Sequence, residues 1–267
     1  MKRMYKKLLP LPAILILLAS CSPIYYAPNG HNVPLYTGGG QASLSASYEI
    51  MGRSKGGNLQ TSVAVCNHLG IMANGFFANT DYEDTFTSYD EDETCKGHLL
   101  EFGPGYFTTL NSGSKFDFLM EFYGGMGFGK FDNTTEVPSY FDPTGTDNFY
   151  VRSASFQRYF IQPSFGLKSE YFECALSMRV AGLTYTKWEI EYDEPDLPLE
   201  SYSILFEPAI TLRAGFKYAK MQAQFGFSSN LNNPDLIQEK WYISLGMFFQ
   251  LTGSDKAACP GNPAGTD

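Results

Sequence analysis

Hydrolytic chemistry needs a base within hydrogen-bond reach of the proton it removes, and this chain offers three histidines, His31, His68 and His98. His31 stands in a Pro/Gly/Asn-rich stretch and His68 in a turn at 67–70. His98 lies beside the acidic 80–96 stretch, but its parity turns it away from the face that carries the buried charges. No catalytic residue is assigned, and the chain reads as a non-enzyme. The run Asp81-Tyr82-Glu83-Asp84 through Asp90-Glu91-Asp92-Glu93 has the oxygen ligands that a divalent cation takes. It lacks the ordered spacing and turn glycine of a calcium loop. With the similar cluster Glu189, Glu191, Asp193, Glu194 and Asp196 it reads as a solvated loop. No metal and no cofactor are expected.

Of the five cysteines, Cys21 has a distinctive context. Lys2, Arg3, Lys6 and Lys7 precede an apolar run at 8–18, and Leu18-Ala19-Ser20-Cys21 follows. A basic patch, a short apolar stretch and small residues before the cut make a secretory signal. The run is too short for a membrane-spanning helix, which needs about 20 residues. Leu-Ala-Ser-Cys resembles the bacterial lipobox, whose thiol is diacylated, so residues 1–20 read as a lipoprotein signal peptide and Cys21 as the lipidation site. Several buried acyl chains anchor stably where one alone is marginal. Ser22 is not acidic, and Ser22-Pro23-Ile24-Tyr25-Tyr26 has no acidic residue. Resemblance to better-known lipoproteins implies that a non-acidic residue there permits transfer to the outer membrane, so the expected place is the cell outer membrane, lipid-anchored at Cys21 on the periplasmic leaflet. Residues 21–40 would be a linker from the lipid to the first strand.

Cleavage removes four basic residues and leaves 15 Lys+Arg against 28 Asp+Glu, a net of −13. A nucleic-acid partner would call for a basic surface, and a polybasic membrane attachment is equally disfavoured. The expected partners are outer-membrane lipid and the lipoprotein-acylation and barrel-assembly machinery, with any external ligand unknown.

What must position these residues is a set of strands. From about residue 41 the apolar positions alternate, most clearly in Trp241, Ile243, Leu245, Met247, Phe249 and Leu251. Period two means strands with one apolar and one mixed face. About ten are expected, at roughly 41–50, 57–66, 71–79, 97–110, 115–131, 154–167, 172–187, 202–216, 220–228 and 240–252. Short turns near 67–70, 111–114, 168–171 and 217–219 alternate with longer links at 51–56, 80–96, 132–153, 188–201 and 229–239. Transmembrane barrels show that alternation, with short turns on the periplasmic side. The fold class is all-β, an antiparallel up-and-down transmembrane β-barrel over 41–252, with a flexible tail at 253–267. A soluble β-sandwich is the alternative.

Within that frame, Tyr48, Tyr106, Trp188 and Trp241 are candidates for interfacial girdles, and Pro104, Pro163 and Pro208 read as bulges. Cys66 and Cys174 fall near the periplasmic rim on strands far apart, and Cys95 lies across the membrane from Cys259. All four read as free thiols. Parity places Glu49, Glu101, Asp117, Glu121, Glu173 and Glu207 in the lumen with Arg158, Arg179 and Arg213. Such charges persist when paired or hydrated, whereas Arg or Lys facing lipid costs about 2–4 kcal/mol at mid-depth. The expectation is an ion-pair network that closes the lumen; a narrow gated pore is the alternative.

Two stretches carry a family resemblance. Tyr26-Ala27-Pro28-Asn29 with Asn32-Val33-Pro34-Leu35 is one. The other is Leu59-Gln60, Val63-Ala64-Val65 and Asn67-His68-Leu69-Gly70-Ile71-Met72-Ala73-Asn74. They resemble uncharacterised outer-membrane β-barrel lipoproteins of Bacteroidota, a resemblance that implies location and fold and brings no catalytic residues. The expected function is structural or loop-mediated binding. A solute or ion channel is the alternative, and an outer-membrane hydrolase the least supported.

Overall fold

The computed structural model describes residues 24–52, 54–83, 92–112, 115–137, 148–190, 202–234 and 236–251. The expected signal peptide and lipidation site Cys21, Cys259 and the expected tail lie outside them. The strands are β1 (Ala42–Met51), β2 (Ser54–Cys66), β3 (Leu69–Glu83), β4 (Asp92–Ser112), β5 (Asp117–Val137) and β6 (Asn148–Lys168). They continue with β7 (Phe172–Ile190), β8 (Tyr202–Gly215), β9 (Ala219–Phe227), β10 (Ser229–Asn230) and β11 (Trp241–Leu251). Successive long strands pair antiparallel. β11 returns to β1 from Ala42↔Leu251 to Ile50↔Ile243, so ten strands close on themselves. The two-residue β10 extends the β8 ladder opposite Leu205 and Phe206. Closure leaves no open sheet edge, which a bilayer requires.

Alternation sorts the side chains inside out relative to a soluble barrel. Leu59, Ile71, Phe102, Phe122, Ile161, Leu176, Ile210, Phe225 and Leu245 are exposed, while glutamates, arginines, glutamines and serines fill the interior. Among the described residues, the outward face has no charge between Lys96, Lys130 and Lys187 at one end and Lys115 and Lys217 at the other. Along β5 and the residue before it, this belt runs from Phe116 to Phe128. At about 3.3 Å per residue and about 45° tilt it is roughly 28 Å tall, close to the apolar band of about 25 Å on outer-membrane barrels. The sheet is therefore an outer-membrane-type β-barrel.

Several expectations are corrected. The link expected at 51–56 is only residues 52 and 53: Met51 already pairs with Ser54, and Gly52 supplies the positive φ of 44° that a tight hairpin requires. Ser54, Lys55 and Gly56, expected in the link, belong to β2 with Gly57. A Cβ on Gly57 would stand 2.5 Å from the Phe77 ring of β3. The links at 80–96 and 132–153 are shorter than expected, because β3 and β4 pair as far as Glu83↔Asp92 and β5 and β6 as far as Val137↔Asn148.

The prolines are not bulges. Pro104, Pro163 and Pro208 stay paired on one side, with Ile71, Phe122 and Met178. On the other side the ladder lapses and resumes in the same register. A proline lacks one donor, and that donor would point to one neighbour only. True register shifts fall at Ala64/Cys66, Thr109/Asn111 and Ser155/Phe156. The last one matters for Trp188. Ser155 pairs with Lys187 and Phe156 with Tyr185, so Thr186 is the extra residue and parity inverts beyond it. Trp188 consequently leaves the expected girdle and turns inward, whereas Tyr48, Tyr106 and Trp241 stay exposed.

Cys95 and Cys174 are thiols outside any disulfide, as expected, but Cys66 is disulfide-bonded. Its separation from Cys174 around the barrel does rule out that pairing. Its partner is neither of the other described cysteines, so comparing strand positions alone could not find it.

Candidate functional site

The lumen is the site, and the residues expected there are largely brought together. Glu101, Glu121, Glu173, Glu207, Arg158, Arg179 and Arg213 are all at most 2% exposed. All but Glu121 form two groups; among the described residues Glu121 makes no ion pair and instead accepts from the Tyr36 amide. In the first, Arg158 makes a close ion pair with Glu207 and lies 3.3 Å from Glu101, with Arg179 at 3.8 Å from Glu101. In the second, Glu173 meets Arg213 at 3.0 Å and Lys220 at 2.7 Å. Lys168 and Lys220 belong to this second group and were not foreseen. Asp117 does not join either group as expected. It sits half-buried at the short-turn mouth, where a cavity of about 640 Å³ opens among Lys115, Lys168, Lys217 and Lys220. It is the first residue of its strand, so parity points it inward at the barrel's very rim.

Sequence reasoning missed the centre of this lumen. Residues 24–36, expected as a linker, run through the barrel. Tyr26, Asn29, His31, Val33 and Tyr36 are at most 1% exposed. The segment has no helix or ladder of its own beyond one parallel bridge, Tyr26↔Gln238, so lumen side chains must satisfy its backbone. At the long-link end the Ile24 amide donates to Asn133 at 3.1 Å, and Asn133 donates back to the Ile24 carbonyl at 3.0 Å. Lower down, the Gly30 amide donates to Glu49 and the His31 amide to Gln224. Gln162 donates to the Asn32 carbonyl and Lys168 to that of Leu35. The Tyr36 amide donates to Glu121 at 3.1 Å near the short-turn end.

The segment's side chains complete the charge network. Tyr26 donates its hydroxyl to Glu207 at 2.7 Å under the Arg158 guanidinium. Asn29 donates to Glu101 at 2.7 Å and accepts from both Arg158 and Arg179. Tyr25 packs edge-on against the inverted Trp188, with ring centres 5.2 Å apart. Strand glycines make room: a Cβ on Gly166 would lie 2.3 Å from Leu35.

His31 Nδ1 stands 2.7 Å from the Ser177 hydroxyl, a base beside a nucleophile. Both residues are at most 1% exposed, and neither cavity at the short-turn end reaches them. Here the pair fastens the segment to β7. His98 points outward, as parity implied, and His68 stacks on Tyr106 in its turn.

No family model matches the chain, and no curated protein matches it. Two solved structures show a distant likeness. The transport unit of the autotransporter AIDA-I from Escherichia coli is 9% identical over 79% of this chain and 89% of its own, with a TM-score of 0.28. CdiB from Acinetobacter baumannii is 9% identical over 79% of this chain and 60% of its own, with a TM-score of 0.22. The barrel assignment rests on the strand pairing above and not on these matches.

Proposed function

We propose that the protein is an outer-membrane lipoprotein of the kind its N-terminal motifs resemble, a closed and non-conducting barrel that acts as a scaffold for its outer loops. The observation that carries this reading is the threaded segment. Residues 24–36 fill the interior from the long-link end to the short-turn end, bonded to nearly every strand. A channel would need that segment to leave, which would strip hydrogen bonds from Glu101, Arg158 and Arg179 in a confined space. Each buried group left without a hydrogen-bond partner costs about 1–3 kcal/mol. A structural or loop-binding role needs no such movement and no catalytic group.

Planar-bilayer recording tests the reading. The intact protein is expected to give no steady conductance, and a variant lacking 25–33 to give discrete steps through a lumen lined by the same charges. Steady conductance by the intact protein would favour the channel.

A further inference from the structure

The threaded segment has a direction, and the direction bears on where a lipid on Cys21 can lie. The chain enters at the long-link end, where Ile24 is bonded to Asn133 and Cys95. It leaves at the short-turn end, where the Gly40 amide donates to the Ala64 carbonyl, and only then begins β1. Asn133, level with Ile24, and Glu121, level with Tyr36, are twelve residues apart on β5. At about 3.3 Å per residue that is about 40 Å of strand.

Cys21 precedes Ile24 by three residues. A fully extended chain covers at most about 3.6 Å per residue, so Cys21 lies within roughly 11 Å of Ile24. It cannot reach the short-turn end. Short turns are the periplasmic side of such barrels and long links the outer side. The height also suits a lipid. On β5 the apolar belt stops at Phe128, the ion pair of Lys130 and Asp132 follows at 2.7 Å, and Ile24 is held one residue further out. Ten strands about 4.8 Å apart and tilted about 40° enclose a radius of roughly 10 Å. Ile24 is bonded to the wall, not poised on the axis, so three residues suffice to cross the rim.

We propose that Cys21 places its acyl chains in the outer leaflet, the chain passing through its own barrel so that the lipid anchor lies on the cell-surface side. This rests on the reading that Cys21 is lipidated. It replaces the periplasmic leaflet expected from the lack of acidic residues after Cys21, an expectation that took residues 21–40 as a linker outside the barrel. The ligand is the hydrocarbon of the outer leaflet, taken up by a diacylated thioether at the barrel's outer rim.

The test uses the full-length protein in its native envelope. An epitope inserted between Ser22 and Pro23 is compared with one inserted within 138–147 and one at the C-terminus. Antibody binding is measured on intact and then on permeabilised cells. The expected result is equal signal before and after permeabilisation for the first two, and signal only after it for the third. An N-terminal epitope that is reached only after permeabilisation, while the 138–147 epitope is reached before, overturns the proposal. Should the insertion block folding, Pro23→Cys probed with a membrane-impermeant maleimide replaces it, with the unmodified protein as background. Palmitate labelling of the wild type and Cys21→Ala separates the two ideas. A wild type without label removes the lipid and this proposal with it, yet leaves a surface-accessible N-terminus as the mark of threading.

Discussion

Asn29 and Arg179 stand 150 residues apart in the chain and 2.9 Å apart in the barrel, amide oxygen to guanidinium. The same oxygen accepts from Arg158 at 2.8 Å, and the amide nitrogen donates to Glu101 at 2.7 Å. One neutral side chain thus sits between two cations and an anion, and it comes from the threaded segment, not from a strand.

Asn29→Ala should loosen the barrel without changing its charge. Two guanidiniums and a carboxylate would each lose a hydrogen bond where water is scarce, at about 1–3 kcal/mol per unsatisfied group. The measurement is the temperature at which gel mobility shifts in detergent. An unchanged temperature would show that Asn29 is not a hub.

Arg158→Ala should cost more than Arg179→Ala. Arg158 makes the close pair with Glu207, whereas the Arg179 ion pairs are longer, 3.8 and 4.0 Å, and its hydrogen bonds go to the neutral Gln162 and Asn29. Breaking the buried pair from one side is worth about 3–5 kcal/mol, against about 0–1 for an exposed charge such as Lys55. Heat-modified mobility of the three alanine variants should rank them Arg158, Arg179, Lys55, with Lys55→Ala near the wild type. Equal behaviour of all three would mean that the charged interior is not packed.

Gly166→Ala tests the threading directly. The new methyl would overlap Leu35, which is held at a φ of 53° and buried, and overpacking of this kind costs about 1–3 kcal/mol. Leu35→Ala removes the obstacle, so the double variant should be less destabilised than the sum of the single ones. Contacting residues commonly show such coupling, at about 0.5–3 kcal/mol. Strict additivity, read from the same thermal assay, would place Leu35 elsewhere.

Protease added to intact cells should cut within 138–147 and spare the turn at 169–171 between β6 and β7. Equal protection of both would argue against a membrane-spanning orientation with the long links outside.

Much of this was legible along the chain because alternation is a local property. Trp241 to Leu251 declares a strand and its lipid face without knowledge of any other residue, and the same parity put Glu101, Arg158 and Glu207 inside. Parity failed where one extra residue, Thr186, inverted it for Trp188, because a bulge depends on the partner strand. Residues 24–36 have no period, and their Pro, Gly and Asn content reads as a linker. What buries them is a set of acceptors and donors spread over every long strand, such as Glu101 for Asn29, 72 residues away, and Gln224 for His31, 193 residues away. The sequence by itself determined that the strands would face lipid on one side and hold charges on the other, because side-chain alternation follows from strand geometry alone. Only the tertiary structure decided that those charges would close around the protein's own N-terminal segment, because an irregular backbone can be buried only where separate strands bring their polar groups to it.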